Sequence, residues 1–325
     1  MRILLTGAAG LIGAPTTKLL ISQGHTVVGI DNFSNYYSPL MKRKRIDALG
    51  IKDSIQNIDI TDSDAINNVL KDLRPDAVIH LAARPGVRAS MSELNEYNYP
   101  NVIGFQNVIC AVEKFGIRKF LYASSSSIYG FNAAIPFVET NIGGEVSSYY
   151  ASTKRLNEFV AQYLPQKGIS TIGLRFFTVY GPWGRPDMAL LRFITAGLAD
   201  KKFPLTGRLD TLRDFTYIDD VARIISQLVI DERFYENDVF NLAASNPQSL
   251  SSALKTLEQL GVKCNFTQLD VSPLDAKVTF GSTDKLSQFG FSPPSHDLNT
   301  GLAKTLEWAK SQDLNELLSW VYPEI

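Results

Sequence analysis

Apolar residues fall into short runs separated by longer amphipathic stretches. Arg2-Ile-Leu-Leu-Thr6 is the first run and Thr26-Val-Val-Gly-Ile30 the second; similar runs recur near 55–58, 77–82, 119–123 and 171–176. Between them, residues near 62–73, 99–115 and 149–164 carry apolar positions at helical spacing. Alternation of this kind predicts an α/β protein, a doubly wound parallel sheet with helices on both faces. From about Gly181 the alternation loosens and Pro, Gly and aromatic residues become more frequent, which predicts a smaller C-terminal α/β lobe over the carboxyl ends of the strands. The expected division is 1–180 and 181–325, with the chain returning to the first sheet near 218–244.

The first run leads straight into Gly7-Ala-Ala-Gly10-Leu-Ile-Gly13. An Arg followed by apolar and then small residues also fits a signal peptide, but glycines interrupt the apolar run and helical spacing resumes at Leu19 and Leu20. Strand, tight turn and helix is the better reading. The three glycines let the backbone turn, approach a pyrophosphate and pack helix on strand, and the free N–H groups of the helix start face the anion. Pro15 is tolerated because it falls in the first helical turn. The second run ends in Asp31, eighteen residues after Gly13. A carboxylate there accepts hydrogen bonds from ribose hydroxyls and repels a 2′-phosphate, which favours NAD(H) over NADP(H). The alternative is that Asp31, before Asn32, only starts a turn; the ribose role is the preferred reading.

Composition narrows the remaining classes. With 325 residues, 32 basic and 33 acidic, the formal net charge of −1 offers no field for nucleic acid or anionic membrane. The longest uncharged stretch, Phe120 to Val138, holds four serines, a Gly, an Asn and a Pro, and cannot span a bilayer. Two cysteines, Cys110 and Cys264, make no disulfide framework, and three scattered histidines make no recognisable metal site. A soluble cytoplasmic protein is expected. Lys42-Arg-Lys-Arg45 reads as the solvated face of a short helix rather than a nuclear signal.

Two tyrosines precede a lysine by four residues, Tyr150/Lys154 and Tyr163/Lys167. Leu156, Phe159, Val160, Tyr163 and Leu164 form one helical stripe, expected to be core, with Pro165 ending the helix before Lys167. Tyr150 and Lys154 lie about 130° around from that stripe and are expected to face a cleft together. An ammonium and a nicotinamide cation nearby would favour the phenolate and lower a phenol pKa of about 10, making Tyr150 a usable base. Lys154 can also hold the nicotinamide ribose. Tyr122-Ala-Ser-Ser-Ser-Ser-Ile-Tyr129-Gly130 leaves a strand with four serines, a suitable polar floor for a sugar or else a turn satisfying its own backbone. Ser125 could share the proton of a substrate hydroxyl with Tyr150, and Ser126 and Ser127 could hold a neighbouring polar group.

Together, Gly7-x-x-Gly10-x-x-Gly13, Asp31-Asn32, His80-Leu-Ala-Ala83, Ser124–Ser127 with Tyr129-Gly130, and Tyr150-x-x-x-Lys154 resemble the extended short-chain dehydrogenase/reductases that act on nucleotide sugars. Within that family the chain is most similar to the UDP-glucuronate 4-epimerases. This narrower likeness rests on Asp31-Asn-Phe-Ser-Asn-Tyr-Tyr37, Pro85-Gly-Val-Arg88, the run Arg175 to Met188, and Arg213-Asp-Phe-Thr-Tyr-Ile-Asp-Asp220. The resemblance implies a Rossmann domain, a nucleotide-sugar lobe, and NAD that stays bound and is recycled within each turnover. It implies that Gly7, Gly10, Leu11, Ile12, Gly13, Asp31, Asn32, Asp59, Ile60, Leu81, Ala82, Ala83, Asn101, Lys154 and Phe177 line the cofactor. Arg213 would meet the UDP phosphates, and Arg88, Thr178, Arg185 and Met188 the sugar or its carboxylate. His80 is expected to be a strand-end residue satisfied by backbone. The helices near 99–115 and 149–164 carry apolar positions beyond one face, and the resemblance implies a homodimer built from them.

Oxidising C4 of a glucuronate creates a β-keto acid, which tends to lose CO₂, so an epimerase must hold the carboxylate away from alignment with the carbonyl π system. Decarboxylating relatives commonly place a Glu two residues before the tyrosine of the strand-end motif; here that position is Ser127. Ala14-Pro15 departs from the usual Ser-His after the third glycine, and Ser125 stands where many relatives carry Thr. The competing readings are a neutral-sugar 4-epimerase or UDP-glucuronate decarboxylase on the same frame, and a catalytically silent NAD-binding regulator. Such a regulator would tend to lose the tyrosine or lysine that this chain keeps.

Overall fold

Each strand run of the N-terminal half becomes a rung of one sheet. The computed structural model describes residues 1–87, 91–205, 207–269 and 276–322. Strands β1 (Arg2–Thr6), β2 (Thr26–Asp31), β3 (Ile55–Asn57), β4 (Ala77–His80), β5 (Lys119–Ser125) and β6 (Ser170–Phe176) are followed by the short β7 (Thr178–Tyr180), β8 (Lys202–Leu205), β9 (Leu212–Arg213) and β10 (Phe215–Tyr217). Then come β11 (Glu236–Leu242), β12 (Gln248–Ser249) and β13 (Asn265–Gln268). Helices α1 (Gly13–Ser22), α2 (Pro39–Ala48), α3 (Ser63–Leu73), α4 (Leu94–Asn98), α5 (Phe105–Lys114) and α6 (Tyr149–Ala161) belong to the first half. In the second half lie α7 (Ala189–Leu198), α8 (Ile218–Ile230), α9 (Leu250–Gln259), α10 (Asp284–Gln288), α11 (Leu298–Lys310) and α12 (Leu314–Val321).

Seven strands pair in the order β11-β6-β5-β4-β1-β2-β3, every pair parallel. Successive side chains feed opposite cores. Ile3 and Leu5 pack with Leu121, Ile172 and the apolar side of α8, whereas Leu4 packs with Val78, Phe120 and residues of α3 and α5. Full burial of each such side chain is worth roughly 1.5–3 kcal/mol, which makes the register of a doubly covered sheet hard to shift. The order reverses between β1 and β4, and a crevice opens there at the carboxyl ends of the strands. Through α8 and β11 the chain comes back to the sheet after its first excursion into the smaller lobe.

Several local expectations fail. Lys42 and Arg45 are buried, not solvated. Arg45 donates to the carbonyl of Ala9, to the Tyr37 hydroxyl at 2.9 Å and to the carbonyl of Trp183 at 2.7 Å. Through its two terminal nitrogens one guanidinium thus ties the glycine loop to the loops that carry Tyr37 and Trp183. The helix expected over 99–115 forms but starts earlier, at Leu94: α4 runs through a π-turn at Tyr99–Gly104, with Pro100 near its start, directly into α5. The stripe expected on α6 only partly holds. Val160 and Leu164 pack on the core, but Leu156, Phe159 and Tyr163 are exposed, Phe159 to 70%, while Tyr150, Thr153, Lys154, Asn157 and Glu158 are buried.

Candidate functional site

The crevice widens into a cavity of about 940 Å³ between the carboxyl ends of the strands and the smaller lobe. At one end lies the glycine loop. Gly7 has φ +71°, the left-handed region, and a Cβ there would lie 2.7 Å from the amide nitrogen of Ala82. A Cβ on Gly13 would lie 2.1 Å from the carbonyl oxygen of Gly7. Backbone rather than flexible side chain stands in the way, so the turn can form only with glycine at both positions. The cradle leaves the start of α1 open toward the cavity, with Gly7, Gly10, Leu11, Ile12 and Gly13 all on its wall, and it fits a dinucleotide pyrophosphate.

Asp31 performs the turn role that the sequence left open: its carboxylate accepts from the amide of Phe33 at 2.8 Å, and from that of Ala9 at 3.1 Å. A carboxylate has about four acceptor positions, so two remain for ribose hydroxyls. Asn32 donates to Asp59 at 2.8 Å, and both line the cavity with Ile60, Leu81, Ala82, Ala83 and Phe177. Asn101 does not. It is fully buried behind the wall, accepting from the amide of Arg84 and donating to the Arg84 carbonyl and the Thr153 hydroxyl. Its part is to fix the loop after β4 against α6. His80 is likewise held by a side chain, not by backbone: its Nδ1 shares a hydrogen bond with the Thr6 hydroxyl at 2.8 Å, and burial pushes its pKa down to about 3.

The reactive groups converge where β5 ends and α6 begins. Ser148 caps α6, accepting from the amide of Ala151 at 3.1 Å, and so places Tyr150 in the first turn. Lys154, one turn on, donates to the carbonyl of Ala123 at 3.0 Å. Burial lowers its pKa to about 8 against the opposing pull of Glu158, and it remains mostly an ammonium at pH 7. Tyr150 differs from the expectation. Burial raises its pKa; the Ser125 hydrogen bond and the charge of Arg185 pull the other way without prevailing. Low dielectric outweighs two favourable neighbours, and Lys154 does not figure among the main influences on the phenol.

Ser125, Ser126, Ser127, Thr178, Arg185, Met188 and Arg213 all line the same cavity. The Ser125 hydroxyl donates to that of Ser127 at 3.2 Å and accepts from its amide. Arg213 donates to the carbonyl of Leu212 at 3.0 Å. Arg88 lies outside the described residues.

Two groups of polar residues escaped sequence reasoning. Behind the serine floor, Glu158 accepts from Arg175 in a two-pronged pair, 2.9 Å to Nε and 2.8 Å to Nη2, and from Ser124 at 2.5 Å. Arg175 also donates to the Tyr129 hydroxyl and the carbonyl of Glu139. The available signal was a lone arginine in an otherwise uncharged strand. At the rim, Tyr36 and Asp187 meet across 151 residues of chain, the Tyr36 hydroxyl donating to the carboxylate at 3.0 Å.

The family model described as NAD dependent epimerase/dehydratase family matches residues 3–243. A probable UDP-glucuronate 4-epimerase of Rhizobium meliloti is 34% identical, over 95% of this chain and 96% of its own. UDP-glucuronate 4-epimerase 4 of Arabidopsis thaliana is 36% identical over 94% of this chain and 74% of its own. Among solved structures, the UDP-glucuronic acid 4-epimerase of Bacillus cereus, in complex with UDP-glucuronic acid and NAD, superposes with a TM-score of 0.87 at 32% identity, covering 95% of this chain and 99% of that one.

Proposed function

This chain belongs to the NAD dependent epimerase/dehydratase family, and we propose that within it the protein interconverts UDP-glucuronate and UDP-galacturonate through a transient 4-keto sugar. The observation that carries this reading is a Tyr–Ser–Lys constellation, Tyr150, Ser125 and Lys154, on the wall of one cavity with a glycine cradle at its end. NAD, when bound, supplies the hydride acceptor for C4 and the hydride donor that restores it. Tyr150 takes the proton of the 4-hydroxyl as C4 is oxidised and returns it as the carbonyl is reduced. Ser125, which favours the phenolate, shares that proton. Lys154 keeps a positive charge at the same wall and holds the cofactor ribose, Asp31 the adenosine ribose.

Ser125, Ser126, Ser127, Thr178 and Arg185 supply hydroxyl and guanidinium donors around the sugar end. Such a set suits an acidic sugar and fixes its carboxylate by position, so that the ketone does not lose CO₂. Arg213, farther along the cavity, suits the diphosphate. We assign residues 1–180 chiefly to the cofactor and 181–325 chiefly to the nucleotide sugar. The exposed apolar side of α6, with Tyr99 and Ile103 exposed nearby in sequence to α5, is read as the surface that pairs with a second copy. A cytoplasmic location is read from the two unpaired cysteines. No described helix is long and apolar enough to cross a membrane.

The test is an NMR-followed reaction with UDP-glucuronate, UDP-glucose and UDP-N-acetylglucosamine. The expected outcome is a single C4 epimer of the glucuronate, with no CO₂ and no net NADH. A pentose product, or turnover of the neutral sugars alone, overturns the assignment.

A further inference from the structure

Arg185 is a long side chain on a loop at the rim of the cavity, one-fifth exposed. Left to itself such a side chain samples many rotamers, and the entropy of that freedom opposes any single pose. Here one edge of its guanidinium is fully committed. Nε donates to one oxygen of Asp187 at 3.0 Å, and Nη2 to the other at 2.5 Å and to the Tyr36 hydroxyl at 3.4 Å. That accounts for three of the five N–H donors. The remaining two, on Nη1, have no hydrogen-bond partner among the described residues.

The clamp is itself anchored. Tyr36 comes from the loop after β2 and Asp187 from the loop before α7, so their bond crosses the mouth of the cavity. The guanidinium of Arg84, after β4, stands 4.9 Å from the Tyr36 ring centre and 5.4 Å from that of Tyr97. Gly86 leaves room for the Tyr36 hydroxyl, since a Cβ there would approach it to 2.9 Å. Arg84 is in turn paired with Glu93 and Glu96. Three loops therefore converge on one carboxylate and one phenol, which hold the guanidinium from the side away from its two uncommitted donors. Burial raises the phenol pKa of Tyr36, and its hydroxyl stays a protonated donor throughout the neutral range.

We infer that Asp187 and Tyr36 are positioning residues for Arg185, turning its Nη1 edge toward the acidic group of the sugar and keeping it there. The inference rests on the proposed action on UDP-glucuronate. Two effects compete at Asp187. Its negative charge, two-fifths exposed at the rim, repels an incoming carboxylate, and its fork orients the cation that attracts one. Exposure to water screens the repulsion, whereas the orientation depends on two short bonds that solvent does not provide. Orientation wins.

The experiment titrates Asp187→Asn and Tyr36→Phe by calorimetry with UDP-glucuronate and, separately, with UDP, each in the native and the Arg185→Ala background. Affinity for UDP-glucuronate should fall about tenfold in Asp187→Asn and about threefold in Tyr36→Phe, in line with the loss of charged and neutral hydrogen bonds. Affinity for UDP should move less than about twofold, a range that general damage to the loop would exceed. With Arg185→Ala in place, neither substitution should have a further effect. In turnover, Asp187→Asn should release a larger share of pentose and CO₂, because the carboxylate is held less firmly. UDP-glucuronate binding that is unchanged or tighter in Asp187→Asn overturns the inference. So does an effect that persists in the Arg185→Ala background, or a matching loss of UDP affinity. If the unaltered protein fails to epimerise UDP-glucuronate, the functional reading falls and this inference with it; that result is visible before any variant is made.

Discussion

The two sides of α6 contradict the usual arrangement of an amphipathic helix. Its polar side, Tyr150, Thr153, Lys154, Asn157 and Glu158, faces the interior, and its apolar side, Leu156 and Phe159, faces solvent. Burying a lysine and a glutamate on one helix is unfavourable unless each is satisfied. Here Lys154 reaches the carbonyl of Ala123, and Glu158 takes Arg175 and Ser124. Exposing Phe159 gains nothing for the monomer. The polar side is the one proposed to carry the chemistry and the apolar side the one proposed for association, so burial alone would misjudge both.

Substituting the polar side should give the largest effects. Tyr150→Phe removes the proposed proton carrier and should lower kcat about 10³-fold with little change in KM, since general acid–base groups contribute typically 10²–10⁴; steady-state rates read it, and a variant with full turnover would displace Tyr150 from the mechanism. Glu158→Leu strands the Arg175 charge in the core and should cost about 3–5 kcal/mol in denaturant unfolding. Replacing Glu158 and Arg175 together by apolar residues should recover much of that loss.

An acid titration distinguishes the buried polar groups from those on the surface. His80 is neutral in the fold, its pKa pushed from 6.5 to about 3 by burial first and by the charge of Lys154 second. Its contribution is complete above pH 6.5. Below that, the unfolded chain binds a proton that the folded one refuses, and stability falls until about pH 3. The slope between those values should approach about 1.4 kcal/mol per pH unit, and His80→Gln should flatten it when unfolding is measured from pH 7 down to pH 4. The smallest effect belongs to the apolar side. Phe159→Glu should change the unfolding free energy of the monomer by less than about 0.5 kcal/mol while shifting the sedimenting species from twice the 36.0 kDa chain to one. A native protein that already sediments at 36.0 kDa would remove the reason given for the exposed phenylalanine.

Much of the frame was legible before any coordinates. The apolar runs at 2–6, 26–30, 77–82, 119–123 and 171–176 fall on the strands, because a strand covered on both faces needs continuous apolar sequence. Gly7 and Gly13 were legible because a left-handed turn at the first and backbone packed against the second leave no room for another residue. Tyr150 and Lys154 came from spacing together with the glycine loop, and the structure puts them on one cavity wall with Ser125. The partners of Arg45, Asn101, Arg175 and Asp187 were hidden. Each residue acts by meeting partners far away in the chain, and a charged residue reads as solvated until the fold shows what it touches.

Local sequence therefore determined where strands, turns and helices lie, since period, glycine tolerance and capping act over a few residues. Tertiary structure alone decided which side of α6 is inside, which of four consecutive arginines and lysines are buried, and how one carboxylate at the rim holds Arg185. Those outcomes depend on desolvation weighed against hydrogen bonds, and both terms come from neighbours that only folding assembles.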